Sequence, residues 1–352
     1  MNLVYKIVVS VAQMGMYKEN IVIITKTPFR MSFFGGGTDL PEYFKKNGGS
    51  VISTTFDKYC YVNVRKLPPF FDFKTELVYS KIERIQDVDK INHPAIKNAM
   101  KMCKIEDIRL TYEADLPARS GLGTSSSFAV GMLSAFNALN GKYIDKHSLS
   151  KEAIYLERTL CEEKGGWQDQ IAATYGGLNR IDFKDNSYTV TPIVMGKERK
   201  KRLNNNLVMF FTGFTRFSSE LQDTLIENID KNKKNDELLE MQKLVDEAHK
   251  VLVDDTIELS NFGLLLHQAW ILKKSSNVNV SNKDIDKLYD RGIAAGALGG
   301  KLLGAGSGGF MLFYVEPENK EKVLKEFDEL INIPFEFEDE GSRVIYFNHD
   351  RD

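Results

Sequence analysis

The sequence reads as a mixed α and β protein of two domains, and three observations carry that reading. Short runs rich in β-branched residues alternate with apolar residues at helical spacing along the chain. A length of 352 residues is enough for two domains. Near the middle, Lys197 to Asn206 is polar and basic, with Lys/Arg at all of 199–202. It reads as a solvated loop and a domain boundary; without interleaved aromatics it does not read as a nucleic-acid patch.

Composition narrows the function classes. The chain is 42% hydrophobic and 27% charged, as in soluble globular proteins, with a formal net charge of −2. That balance offers no basic field to a nucleic acid or a membrane surface. Cys60, Cys103 and Cys161 show no paired spacing, which fits a reducing cytoplasm and argues against a disulfide framework or a cysteine metal site. The five histidines form no ligand cluster. No apolar run reaches the roughly 18 residues of a bilayer span. Val4 to Ala12 is apolar but short, interrupted by Lys6 and without a charged lead, so it is a poor signal peptide. Residues 1–20 are expected to be a disordered or spurious extension.

The elements follow in order. Ile21 to Thr27 reads as a strand ended by Pro28. Phe29 to Pro41 carries Gly35, Gly36 and Gly37 between Arg30 and Asp39, and reads as a loop. A planar cation and a carboxylate beside bare backbone suit a polyhydroxylated or phosphorylated small molecule; a hairpin turn with a surface ion pair is the local alternative. Ser50 to Arg65 is β-rich, Val78 to Asp89 is ambiguous, Pro94 to Lys104 is helical and Ile108 to Ala114 alternates as a strand.

The stretch Asp115 to Ser127 comes next: a Pro117 turn, Gly121-Leu122-Gly123, then Thr124, Ser125, Ser126 and Ser127. Phe128, Met132, Phe136 and Leu139 follow at helical spacing, and Asn140-Gly141 stops the helix. A glycine-rich loop that opens into a helix N-terminus presents unpaired N–H groups and the positive end of the dipole, which suit a phosphate. An ordinary capped helix has the same spelling.

Asp145 to Glu163 reads as a helix with Leu149, Ala153, Leu156 and Leu160 facing the core. Glu157 lies beside that stripe, where a carboxylate is usually solvated. After Gly165-Gly166-Trp167, Asp169 is a general base held by a tight turn or the cap of the helix over Ile171 to Tyr175. Asn179 to Val194 reads as a strand pair turning at Lys184-Asp185-Asn186, and Leu207 to Phe211 as a strand. The latter runs into Thr212-Gly213-Phe214-Thr215-Arg216, a candidate phosphate contact. Helices follow through Leu252, over Leu259 to Lys273 and over Ser281 to Leu298. The last glycine run, Gly299 to Gly309, spells a dinucleotide fingerprint at Gly304, Gly306 and Gly309. Its context is wrong, because a helix is expected before it and the strand Met311 to Val315 after it. These glycines read as a loop packed beside another backbone or a phosphate.

Three of these segments together resemble the GHMP family of small-molecule kinases, which includes galactokinase, homoserine kinase and mevalonate kinase. Pro117 to Phe128 resembles the family's Pro-x-x-x-Gly-Leu-Gly-Ser-Ser-Ala motif, and Lys301 to Gly309 its Lys-x-x-Gly-Ala-Gly-x-Gly-Gly motif. Gly35 to Asp39 departs from the Gly-Glu-His-Thr-Asp of galactokinase. That form, running on through Leu40 to Tyr43, is similar to the branch that phosphorylates D-glycero-D-manno-heptose 7-phosphate at its anomeric hydroxyl. The resemblance covers about residues 21 to 345.

It implies an α+β fold of two domains, ribosomal-protein-like over 21–197 and ferredoxin-like over 198–352, with the active site between them. It implies a cytoplasmic kinase that uses ATP with Mg2+ on a sugar phosphate, and it leaves room for a homodimer. Pro117, Gly121, Leu122, Gly123, Thr124, Ser125 and Ser126 would hold the nucleotide, and Ser125 and Glu157 the metal. Asp169 would be the base, paired with Arg30. Gly36, Gly37, Thr38, Asp39 and Gly306 would hold the sugar, and Arg216, or more weakly Lys164, its phosphate. A kinase for another sugar such as fucose, a family decarboxylase, and a non-catalytic sugar or nucleotide sensor are the alternatives.

Overall fold

In the computed structural model the described residues are 21–118, 120–213, 226, 235–276, 280–304, 306 and 308–348. Residues 1–20, Arg216 and part of the helical stretch expected before Asn235 lie outside them.

The first half is built on two long strands, β1 (Val22–Phe34) and β2 (Gly49–Lys66), joined through a turn and the helix α1 (Pro41–Asn47). They pair antiparallel along most of their length. Pro28 does not end β1 as expected. The pairing shifts register between Pro28 and Phe29, and a proline, which has no N–H to give a ladder, is tolerated at such a bulge. The ambiguous region resolves into a small hairpin, β3 (Thr75–Val78) and β4 (Ile82–Ile85), ahead of α2 (Pro94–Cys103). Next come β5 (Ile108–Ala114) and α3 (Thr124–Leu139), the expected strand, loop and helix.

Phe128, Met132, Phe136 and Leu139 are buried, and so are Val130, Leu133 and Ala135 on the other faces of α3. The helix is therefore enclosed and not one-sided. It lies flush on β1 at Gly131, where a Cβ would stand 2.7 Å from Thr27 Oγ1. Thr25 Oγ1 donates to the Gly131 carbonyl at 3.0 Å.

The expected helix over 145–163 is α4 (Lys146–Tyr155), capped by the Asp145 side chain and followed by one wide turn over Leu156–Leu160. There the Cys161 N–H reaches back five residues to the Leu156 carbonyl at 2.9 Å. The short helix α5 (Gln168–Tyr175) and the hairpin β6 (Asn179–Lys184) and β7 (Ser187–Pro192) complete this half.

Lys197 to Asn206 is not a loop: it forms the helix α6 (Lys197–Asn205), anchored by buried Leu203 and Asn204 while its charges stay outside. Tertiary anchoring of two positions here overrides a composition that by itself reads as coil. The second half then contains β8 (Leu207–Phe211), α7 (Asn235–Val253), α8 (Ser260–Ser276), α9 (Lys283–Ala294), β9 (Ala297–Leu302), β10 (Phe310–Val315) and α10 (Pro317–Glu326).

The glycine run also departs from expectation. Helix α9 stops at Ala294, and Ala297 to Leu302 is a strand paired antiparallel with β10, so the loop sits in a hairpin. Gly299 lets α8 approach this strand, because a Cβ there would stand 2.0 Å from the Gly263 carbonyl oxygen.

Three short strands, β11 (Ile331–Asn332), β12 (Phe337–Glu338) and β13 (Arg343–Asn348), end the described chain. Among the described residues the first sheet has nine strands, with a main path β13-β1-β2-β5-β3-β4. The second has four, in the order β11-β8-β10-β9. Strands β12 and β13 belong to the first sheet, which therefore draws on both ends of the chain.

Candidate active site

A cleft opens where the end of β1, the start of α3, the start of α5 and the β9–β10 loop converge. Gly121 and Gly123 take positive φ, 83° and 71°, which bends the chain sharply before α3. Gly123 stands at the N-cap and offers no capping side chain, and Thr124, Ser125 and Ser126 of the first turn line the cleft. Leu122 is fully buried, and its carbonyl accepts the Arg30 N–H at 3.1 Å. Pro117 is exposed and stands outside the cleft wall.

The β9–β10 loop backs this turn. A Cβ on Gly304 would fall 2.2 Å from the Gly121 Cα, and one on Gly309 would fall 2.2 Å from the Ser120 carbonyl oxygen. The last glycine run thus packs on another backbone, as its spelling suggested, and Gly306 and Gly308 reach the cleft.

Asp169 sits in the first turn of α5 and caps nothing. Arg30 Nε and Nη2 donate to its two carboxylate oxygens, both at 2.7 Å, and Nη1 donates to the Gly121 carbonyl at 2.7 Å. One planar guanidinium thus fixes the carboxylate and the glycine loop relative to each other. Arg30 does not pair with Asp39, the partner suggested by the local hairpin reading.

Asp39 is buried, and its carboxylate accepts the N–H groups of Gly37 at 3.0 Å and Gln168 at 3.3 Å. Burial, then the nearby Asp169, pushes its carboxyl above the usual range against those two bonds. Gly166 packs directly on it; a Cβ there would lie 1.8 Å from Asp39 Oδ2. Gly36 and Gly37 line the cleft. Thr38 is fully buried and holds the turn, donating to the carbonyls of Gly35 and Ser50 at 2.8 and 2.9 Å. Lys164 is exposed and stands outside the cleft wall, whereas its neighbours Glu163 and Gly165 line it.

Glu157 is not solvated. It is 2% exposed, and it accepts from Ser125 Oγ and Ser126 Oγ at 2.7 Å each and from Gln170 Nε2 at 2.5 Å. The wide turn over Leu156–Leu160 delivers it there, as such turns often do at functional sites. Burial, then the charge of Glu163, pushes its carboxyl up to about 7, against the pull of three hydrogen bonds.

The sequence reading assigned no role to three cations near this site. Arg158 donates to the Gly165 carbonyl and to Glu42, both at 2.7 Å, and so braces the turn beneath Asp39. Lys273 and Lys301 line the cleft from the second half. Lys273 carries no local signal, because a lysine at a helix end ordinarily points to solvent, and Lys301 opens a family motif that gave it no role of its own.

Comparison with known proteins bears on this geometry. Residues 90–177 match the description GHMP kinases N terminal domain, and residues 252–332 match GHMP kinases C terminal. A Campylobacter jejuni protein described as D-glycero-alpha-D-manno-heptose 7-phosphate kinase is 32% identical over 321 residues, which are 86% of this chain and 92% of that protein. The chain belongs to the GHMP kinase family. The family's two-domain α+β fold is the one found here, and this GHMP kinase is a phosphotransferase with an alcohol group as acceptor, a sugar kinase.

Two further likenesses agree. A solved structure described as a D-glycero-D-manno-heptose 1-phosphate kinase from Bacteriodes thetaiotaomicron superposes with a TM-score of 0.71 at 25% identity, covering 92% of this chain and 99% of that one. A Bacteroides fragilis L-fucokinase/L-fucose-1-P guanylyltransferase is 24% identical over 90% of this chain, but only 37% of that protein is covered. Among the described residues no helix is long and apolar enough to cross a membrane.

Proposed function

We propose that this kinase transfers the terminal phosphoryl group of ATP to the anomeric hydroxyl of D-glycero-D-manno-heptose 7-phosphate, giving the 1,7-bisphosphate and ADP. The observation that carries the chemistry is the Arg30 fork, which ties a carboxylate at the start of α5 to the glycine loop at the start of α3. The likeness to the Campylobacter jejuni kinase supports the substrate. In the cell such a product would feed nucleotide-activated heptose for surface polysaccharide, made in the cytoplasm.

Phosphoryl transfer has a loose transition state, so positioning and charge stabilisation do most of the work. The uncapped first turn of α3 would receive the nucleotide phosphates through its N–H groups and dipole. Asp169 would orient the sugar hydroxyl and accept its proton. Asp39, Gly36 and Gly37 would hold the sugar, the glycines leaving room for a bulky one.

The donor set fits a divalent cation carried on the nucleotide: one buried carboxylate, Glu157, with the hydroxyl of Ser125 beside it. Mg2+ held by Ser125 and Glu157 would offset the charge of the phosphates.

The test is ADP release with heptose 7-phosphate, unphosphorylated heptose, fucose and galactose as acceptors. The sugar phosphate should be preferred at least tenfold, and a preference for fucose would replace this reading with a fucokinase. Asp169→Asn should lower kcat at least a thousandfold while nucleotide affinity stays within a few-fold. Undiminished turnover would remove the base, and absence of ADP release with every sugar would favour a sensor.

A further inference from the structure

Two lysines in the cleft take no part in the chemistry described so far. Lys273 projects from the last turn of α8, and Lys301 from β9. Lys273 Nζ donates to the Leu302 carbonyl at 3.0 Å and to the Gly304 carbonyl at 2.5 Å. Lys301, 5% exposed, donates to the Phe33 carbonyl at 2.7 Å. An ammonium has three N–H donors, so each lysine keeps at least one more to offer. Among the described residues no carboxylate lies within ion-pair distance of either.

Lys301 is buried and Lys273 half-buried, and holding such cations out of water without an anion is costly. Burial, then the charge of Arg30, brings Lys273 down to about 7, and Lys301 is likewise held well below the usual lysine range. Arg30 on β1 acts on both lysines and Lys273 acts on Lys301, in each case a basic group beside a basic group, while the carboxylates of Asp39, Glu157, Glu163 and Asp169 line other parts of the cleft.

A third observation points to a ligand here. Ser32 Oγ is buried, without a hydrogen-bond partner, and Ser32 lines the same cleft two residues beyond Arg30 on β1. Lys301 is tethered to the next carbonyl along that strand, between Arg30 and the Gly36–Gly37 turn.

We propose that Lys273 and Lys301, with the Ser32 hydroxyl beside them, form the subsite that receives the phosphate the acceptor sugar already carries. It rests on the sugar-phosphate kinase reading above, and it offers a pair of ammonium groups to a dianion. The nucleotide phosphates have the glycine loop and the α3 dipole; this pair remains for the second anion.

The preference of the wild-type enzyme for heptose 7-phosphate over unphosphorylated heptose, taken as a ratio of kcat/KM, is measured first. No preference would overturn the reading and the subsite together. With a preference in place, Lys273→Met and Lys301→Met should each reduce it roughly 10- to 100-fold, the size of a lost charge-assisted hydrogen bond. KM for ATP should move less than about threefold. A preserved preference, or a rise in KM confined to ATP, would overturn the subsite and leave the reading standing.

Calorimetry gives a second measure. At pH 8 in two buffers of different ionisation enthalpy, binding of the sugar phosphate should take up protons, because a phosphate monoester is already dianionic there and Lys273 is held near 7, and Lys273→Met should lose that uptake. The unphosphorylated sugar should take up none. Equal proton uptake by the two sugars would overturn the proposal.

Discussion

Glu157 receives three hydrogen bonds and is still shifted toward its protonated form, which shows how strongly its burial acts. In the proposed role a cation would take the place of the proton that the enclosure favours. The consequence for the metal-free protein has a definite sign. The folded state binds this proton more tightly than the unfolded chain, whose carboxyl titrates near 4.5. This residue's contribution is therefore best below about pH 4.5, and it falls as pH climbs to about 7. The whole excursion amounts to roughly 3 kcal/mol. Glu157→Gln keeps the shape and removes the titration. Without metal, the variant should gain stability over wild type on going from pH 5 to pH 8 in urea melts. Parallel stability curves for the two proteins would show that the carboxyl is already ionised. The same substitution should weaken the response of activity to Mg2+.

Gly121 and Gly304 meet backbone to backbone, as do Ser120 and Gly309, and these contacts abut the turn that leads into α3. At Gly304 a Cβ would stand 2.2 Å from the Gly121 Cα, and neither backbone can swing aside as a side chain would. Gly304→Ala should therefore push the nucleotide loop, raising KM for ATP about tenfold and costing about 2 kcal/mol of stability. Gly141→Ala is the control: its φ of 65° is also positive, but nothing lies within 4 Å of the added Cβ. It should cost about 1 kcal/mol and leave KM alone. Equal KM effects would mean that strain in the loop, and not its packing, sets nucleotide affinity. The same contact shows what a sequence can carry. The strand, loop and helix from Ile108 to Leu139 were legible because period, glycines and stop signal are all local. Strand β9 was not, because Gly299 and Gly300 spell a loop until α8 comes to rest on the first and β10 packs on the second. The Arg30 fork joins residues 139 apart and was legible only through family likeness. Lys301 was legible only as the first residue of a family motif, and Lys273 not at all, because only the assembled cleft encloses it.

At the scale of the molecule, the returning C-terminal segment fastens the helix that carries Asp169. Strand β13 adds to the outer edge of β1, and β12 pairs with β2. Between them Ser342 donates its N–H to the Ala173 carbonyl at 2.8 Å, and its hydroxyl shares a 2.7 Å bond with Thr27 Oγ1. Gly341 packs on the end of α5, where a Cβ would lie 2.0 Å from the Thr174 carbonyl oxygen. Asp169 and Gly341 thus hold opposite ends of one eight-residue helix, the first by the Arg30 fork and the second by backbone contact. These two duties separate experimentally. Removing residues 343–352 strips the β13 ladder and bares the edge of β1, a template for unwanted pairing. That truncation should lower Tm by about 5–10 °C and increase aggregation. It should leave kcat near wild type at 25 °C, because Ser342 and Gly341 remain. Gly341→Ala keeps the ladder but presses on α5, and it should lower kcat about tenfold, since a shift on the order of 1 Å at the carboxylate is enough. The decisive measurement is kcat against Tm for the two proteins. If both fall on one line, the segment supports only stability. If Gly341→Ala loses far more turnover than its Tm accounts for, the segment around Gly341 sets the position of the Asp169 carboxylate.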